Sequence, residues 1–166
     1  MMELNELNKT LRSMARENGL CDQWFGEWKD DTTRDELLNM YMRGMDFSIE
    51  NDWVSNDFIK NNFPADMRAE HGVFIDEKEL KERNLPNVVL NGECEGELDY
   101  DVFNVGNVYV RHKSEVTITI WDFAKCFIEV YDKAKVKVIN YSNSRVFVYK
   151  HGGEIETKGD VLVRKK

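Results

Sequence analysis

The chain has 166 residues, 42% of them hydrophobic and 11% aromatic with only 2 prolines, which excludes a disordered protein and sets a size of one large domain or two small ones. Its 31 acidic and 23 basic residues give a formal net charge of −8, which opposes direct nonspecific binding to nucleic acid. No apolar run approaches the roughly 18 residues of a membrane span, and the opening Met1-Met2-Glu3-Leu4-Asn5-Glu6 is acidic where a secretion signal is basic.

The cysteines, Cys21, Cys94 and Cys126, are odd in number, widely spaced and outside any CxxC arrangement. They read as free thiols in a reducing compartment, so the expected location is the cytoplasm, with no membrane contact. All the net acidity lies early. Residues 1–86 hold 19 acids and 11 bases, whereas residues 87–166 hold 12 of each. Within the second part, residues 87–110 carry five acids and no base, and residues 111–166 carry 7 acids against 12 bases. Such a dipole along the sequence steers charged partners without specifying a fold.

In chain order, Leu4, Leu7, Leu11 and Met14 recur at helical spacing, and Gly19 follows where a left-handed cap belongs. Thr33 and Glu36 have the spacing of a capping box, and Leu37, Leu38, Tyr41 and Met42 form a second stripe ending at Gly44. Ser55 is placed to cap a third short helix containing Phe58, Ile59 and Phe63, which Pro64 stops. Trp24, Phe25, Trp28, Phe47 and Trp53 lie between these helices, where they form either the core of a small helical domain or an aromatic docking patch. The charged run Asp76–Arg83, read as a solvated helix or linker, sets the expected boundary: a helical domain over 1–86 and a β domain over 87–166.

The second part repeats. Val116–Lys125, Cys126–Lys135 and Val136–Arg145 align in register, followed by Val146-Phe147-Val148-Tyr149; each unit is a small residue, one polar residue, then an apolar-x-apolar strand. Small residues two positions before an apolar one extend the rhythm through Gly96, Gly106, Ser114, Ala124, Ala134, Ser144, Gly153 and Gly159. Stacked strands ~4.8 Å apart bury the shared face, so the expected class is α+β, a helical domain followed by a β-solenoid of ten-residue repeats. An antiparallel meander is the alternative, though the bends lack the Asn-Gly or Asp-Gly of tight hairpins. Two stackings fit. If adjacent repeats stack directly, Trp121, Tyr131 and Tyr141 form an aromatic file and Lys125, Lys135 and Arg145 a basic one. If the coil is twenty residues, the files split; Thr117, Phe127, Lys137 and Phe147, alternating polar and aromatic, favour this. The last edge would be blunted by Arg164, Lys165 and Lys166, and the first covered by the helical part.

The rhythm of Val116 to Tyr149 resembles the short degenerate repeats of bacterial β-solenoid proteins, including the polymer-forming bactofilins. The stretch from Leu20-Cys21 through Asp46-Phe47 to Ser55-Asn56-Asp57-Phe58-Ile59 is similar to uncharacterised proteins of gut anaerobes and their phages or mobile elements. Neither resemblance supplies catalytic residues.

Glu93, Glu95, Glu97, Asp99 and Asp101 alternate with Cys94, Gly96, Leu98, Tyr100 and Val102, the period of a half-buried strand with an acidic outer face. A straight row does not converge on calcium, and its plain role is to discourage edge pairing. His71, His112 and His151 are far apart and lack HExxH or CxxC company, so no metal or cofactor is expected. No GxSxG elbow, phosphate-binding glycine loop or acyltransferase hexapeptide is present, and Cys126 takes an inward repeat position where a thiol is inert.

The candidate binding residues are therefore Trp121, Tyr131, Tyr141, Lys125, Lys135 and Arg145. The expected function is a non-enzymatic interaction or scaffold protein, its partner another protein or itself by solenoid stacking. The alternative is a phage or mobile-element inhibitor of a nucleic-acid-binding host defence enzyme, acting through the acidic N-terminal part. A small enzyme on an anionic ligand would instead need a cleft near Asp76 to Glu97.

Overall fold

A computed structural model describes residues 1–166, which divide into two compact units, residues 1–71 and 72–166. The first unit is all helix: α1 (Leu4–Glu17), α2 (Asp22–Glu27), α3 (Arg34–Arg43), α4 (Met45–Glu50), α5 (Asn56–Asn62) and α6 (Ala65–Glu70). Gly19, at φ 92°, follows α1 in the left-handed region, and the Thr33–Glu36 capping box opens α3 with both reciprocal bonds formed. Ser55 accepts the Phe58 N–H at the start of α5. Pro64 ends α5 as expected and also opens α6, because its fixed φ suits a helix entry as well as it blocks a continuation.

Leu7, Leu11, Leu37, Leu38, Met45, Ile59 and Phe63 are buried together as this unit's core. Polar ties cross it. Buried Asn8 donates to the carbonyls of Leu4 and Thr32 and accepts from Trp28 Nε1 at 2.9 Å, holding the segment after α2 against α1. Arg34 donates to the carbonyls of Asn62 and Met2, closing the chain's start onto α5. Trp28 is buried and Trp24, Phe25, Phe47 and Trp53 half-buried, so these aromatics are core rather than an exposed patch.

The second unit is a parallel β-solenoid of β1 (Val73–Ile75), β2 (Leu80–Arg83), β3 (Asn87–Asn91), β4 (Glu95–Tyr100), β5 (Val105–Val110), β6 (Glu115–Ile120), β7 (Lys125–Val130), β8 (Lys135–Asn140), β9 (Val146–Lys150), β10 (Glu154–Lys158) and β11 (Val161–Lys165). Odd strands form a six-stranded sheet, β1-β3-β5-β7-β9-β11, and even strands a five-stranded one, β10-β8-β6-β4-β2. Every pairing is parallel, which excludes the meander.

Partners in the central coils lie twenty residues apart, as in Val108↔Ile128 and Ile118↔Val138, so two ten-residue repeats make one coil and adjacent repeats belong to different sheets. Inward side chains then stack by kind: Leu98, Ile118 and Val138 in one sheet, and Val88, Val108, Ile128 and Val148 in the other, each at most 1% exposed. The spacing tightens at both ends, to sixteen residues for Val73↔Val89 and fifteen for Val161↔Val146. On β11, Val161 and Leu162 are half-buried and Val163 is exposed, so the core thins toward that strand.

The solenoid begins at Val73, ahead of the boundary expected at 86/87, and Leu80–Arg83 of the presumed charged linker is strand β2. Its charges have a pairing role: Lys81 stands opposite Glu97 in the register, and Arg83 forms an ion pair with Asp101 just past the end of β4. Opposite charges across a ladder stabilise it, so a segment that looks solvated by itself is a strand beside its acidic neighbour.

Each central turn has four residues, the second left-handed: Val102, His112, Asp122 and Asp132 at φ 58°, 56°, 57° and 57°. The fourth is small and fully buried in Ser114, Ala124 and Ala134. Asp122 Oδ2 accepts the Val102 N–H and Asp132 Oδ2 the His112 N–H, both at 3.0 Å, so every such carboxylate stitches its turn to the turn one coil earlier. Val102 is the exception in kind, a β-branched residue where a left-handed backbone costs about 1–2 kcal/mol. The Val102→Asn variant is expected to gain about 1 kcal/mol, read as a higher urea midpoint at unchanged slope; a lower midpoint would show that the valine side chain contributes more than its backbone costs.

Candidate functional site

Because coils are two strands deep, the turns fall on two edges. The turns 101–104, 121–124 and 141–144 lie along one edge, and 91–94, 111–114, 131–134 and 151–153 along the other. The first edge is apolar at its surface. Val102, Phe103, Val105, Trp121, Phe123 and Tyr141 all lie exposed there, with Phe127 just beyond it on β7; Met1 and Val163 are the exposed large hydrophobics elsewhere. Phe103, 73% exposed, stacks on Phe123 at 5.1 Å and 9°, and Trp121 meets Tyr141 at 4.8 Å. Phe127 and Phe147 continue the pattern on the adjoining sheet at 5.8 Å and 6°. Stacking contributes about 0.5–1.5 kcal/mol per pair, yet the outer ring faces stay wet.

Of the six residues expected to form a site, this geometry brings four together and separates two. Trp121, Tyr141, Lys125 and Arg145 share the apolar edge, where Arg145 pairs with Asp160 at 3.0 Å and Lys158 lies 5.3 Å from the Tyr141 ring centre. Tyr131 lies on the other edge, stacked on His151 at 4.2 Å, while His151 Nε2 is 3.1 Å from Glu129. Lys135 stands on the five-stranded sheet between Glu115 and Glu154, 3.8 Å from the former. The single aromatic file and the single basic file are thus replaced by alternating ones, since residues ten apart sit on opposite edges.

The acidic row is also more neutral than its sequence. Glu95, Glu97 and Asp99 face outward on β4, but Lys78 binds Glu95 at 3.1 Å, and Asp101 accepts from Arg83 and from Asn84 Nδ2. The alternation stops at Tyr100; Glu93 and Asp101 belong to turns, and Val102 points out rather than in. No three His, Cys, Asp or Glu side chains converge as metal ligands.

Phe103, Phe123, Val102 and Val105 were not among the sequence candidates. The signal was present, since Phe103 and Phe123 occupy the third turn position twenty residues apart, but a ten-residue reading interposes Lys113 between them. Family models, characterised proteins and solved structures were compared with the chain, and none matches it.

Inside the solenoid, Cys126 aligns with Gly106, whose missing side chain makes room for Tyr100: a Cβ there would meet the ring at 2.4 Å. Tyr100 Oη donates to the Leu85 carbonyl at 2.8 Å. Burial raises the Cys126 thiol from 9.0 to about 12, and raises Cys94 and Tyr100 in the same direction. Cys21 is the exposed thiol. Native protein at pH 8 should therefore react with one equivalent of Ellman's reagent and urea-unfolded protein with three. Because the unfolded thiol ionises near 9.0 and the folded one near 12, this group's contribution to stability is complete below pH 9 and declines as pH rises toward 12. Rapid native labelling of a second thiol would contradict the burial.

Proposed function

We propose that the chain is a non-enzymatic interaction protein and that its aromatic edge docks a partner protein. One observation carries this reading: exposed large apolar side chains concentrate on one turn edge, while the opposite edge presents Lys113, Asp132, Lys133 and His151. A contiguous aromatic patch is costly to leave in water and is where interface energy usually concentrates. The edge is pre-organised, because its side chains stand on turns fixed by hydrogen bonds to the coil before, so docking orders little. Its charges are mixed, with Lys125, Arg145 and Lys158 beside Asp122 and Asp160, which suits an apolar protein surface with a polar rim rather than a polyanion. The bactofilin-like rhythm suggests a second copy as the other occupant, reached end to end through the outer edges of the terminal strands β10 and β11.

The test compares wild type, Phe103→Ser/Phe123→Ser, and a control on the opposite edge, Lys133→Ser, as baits in the source cell extract, with light scattering of each bait alone. The expected result is one partner held by wild type and control and lost by the double variant, with all three melting alike. Equal capture by all three would sink the edge reading, and concentration-dependent dimers or polymers of wild type alone would assign the occupant to a second copy.

A second reading rests on the helical unit's surface. All 15 acids of residues 1–71 are exposed, whereas among its 8 bases Arg12 and Arg34 are half-buried and Arg68 is buried, a formal charge of −7. Such a surface can stand in for nucleic-acid phosphates, as an inhibitor of a nucleic-acid-binding host defence enzyme carried by a phage or mobile element would require. Affinity for a basic nuclease should then fall at least about tenfold between roughly 50 and 200 mM salt. A salt-independent or absent interaction would count against it.

A further inference from the structure

The helical unit contains a partly open cavity of about 400 Å³ where α1 to α5 converge. Its walls include Leu11 and Ala15 from α1, Trp24 from α2, Leu38 from α3, Phe47 from α4 and Ile59 from α5, with Trp28 and Trp53 from the connecting segments. Sites for small organic ligands span roughly 300–1,000 Å³, and an apolar cavity of only ~150 Å³ already stays dry and takes up benzene. Water gains too few hydrogen bonds in such a space to be a good occupant, and every unfilled cubic ångström weakens the surrounding packing.

We propose that this cavity is a binding site for a neutral aromatic small molecule. Aromatic walls favour an aromatic guest by offset or edge-to-face contacts, and three of the chain's 4 tryptophans supply them. The charges select against ionic guests. Arg43 and Asp46 both line the cavity and offset one another, and the Arg43 guanidinium is already engaged 5.4 Å over the Trp24 ring. The unit's net charge of −7 further repels an anion such as a fatty acid. The walls are held in place: the Asn8–Trp28 hydrogen bond fixes one side, and the Arg43 guanidinium packs over the Trp24 ring on another.

The probe is N-phenyl-1-naphthylamine, which is neutral and accepts tryptophan emission. Titrated into the full chain, it should quench tryptophan fluorescence saturably at one equivalent and raise the melting temperature, while its anionic relative 1-anilinonaphthalene-8-sulfonate binds at least about tenfold more weakly. The variants Ala15→Leu and Leu20→Phe, each adding bulk to the wall, should keep the wild-type circular dichroism and lose most of the affinity. Phe103→Ser/Phe123→Ser on the solenoid should bind as wild type, which separates this site from the aromatic edge. The proposal is overturned if the neutral dye shows no saturable binding, if the anionic dye binds as tightly, or if folded wall variants bind unchanged. Should neither wall variant fold, naphthalene added to isotope-labelled wild type decides: amide shifts confined to residues 11–63 support the site, and shifts that are absent or spread over both units refute it.

Discussion

The solenoid depends on one constraint, the twenty-residue parallel register that sets each inward side chain on its like in the next coil. Ile118 lies over Leu98 and under Val138, so each coil buries a face that one strand alone leaves in water. The same register brings Asp122 to the Val102 amide and Asp132 to the His112 amide, so turns and core are locked by one geometry. A shift of one residue would turn every inward chain outward and break each turn bond at once. The close stacking of Phe103 on Phe123 and Trp121 on Tyr141 follows from the same register.

That constraint also explains why exposed aromatic side chains concentrate on an edge. Inward positions are committed to the core and outward strand positions are occupied by cross-strand pairs, such as Lys135 with Glu115. The exposed turn rings of Phe103, Trp121 and Phe123 have neither duty. The turn backbones are held by hydrogen bonds to the preceding coil, so what they project can vary without loss of the fold. Inside the coils, the thiols of Cys94 and Cys126 are kept protonated by burial.

The helical unit is organised differently. Its short helices are ended by local chemistry, the Thr33 capping box, the Ser55 cap and Pro64, and joined by long-range polar ties through Asn8, Arg12 and Arg34. Helices this brief bury little area each, and bulky Trp24, Trp28 and Trp53 span the gaps between them. These rings line the unit's apolar cavity.

Much of this was legible from the residues alone because it is local. The stripe of Leu4, Leu7 and Leu11, the caps, the inward alternation of Val116, Ile118 and Ile120, and the inert position of Cys126 each follow from spacing along a few residues. The helices α2 and α4 were not, since six residues are too few to show a period. Nor was β2, whose charges make sense only beside β4. The sequence by itself determined a helical unit followed by stacked strands of ten-residue repeats with an apolar inside. The tertiary structure alone decided which repeats are neighbours. Residues ten and twenty apart are equivalent in local pattern, and the direction of each four-residue turn sends successive strands to opposite sheets. That direction sets Trp121 beside Tyr141 rather than Tyr131, gathers the aromatics on one edge, and divides the basic file between them.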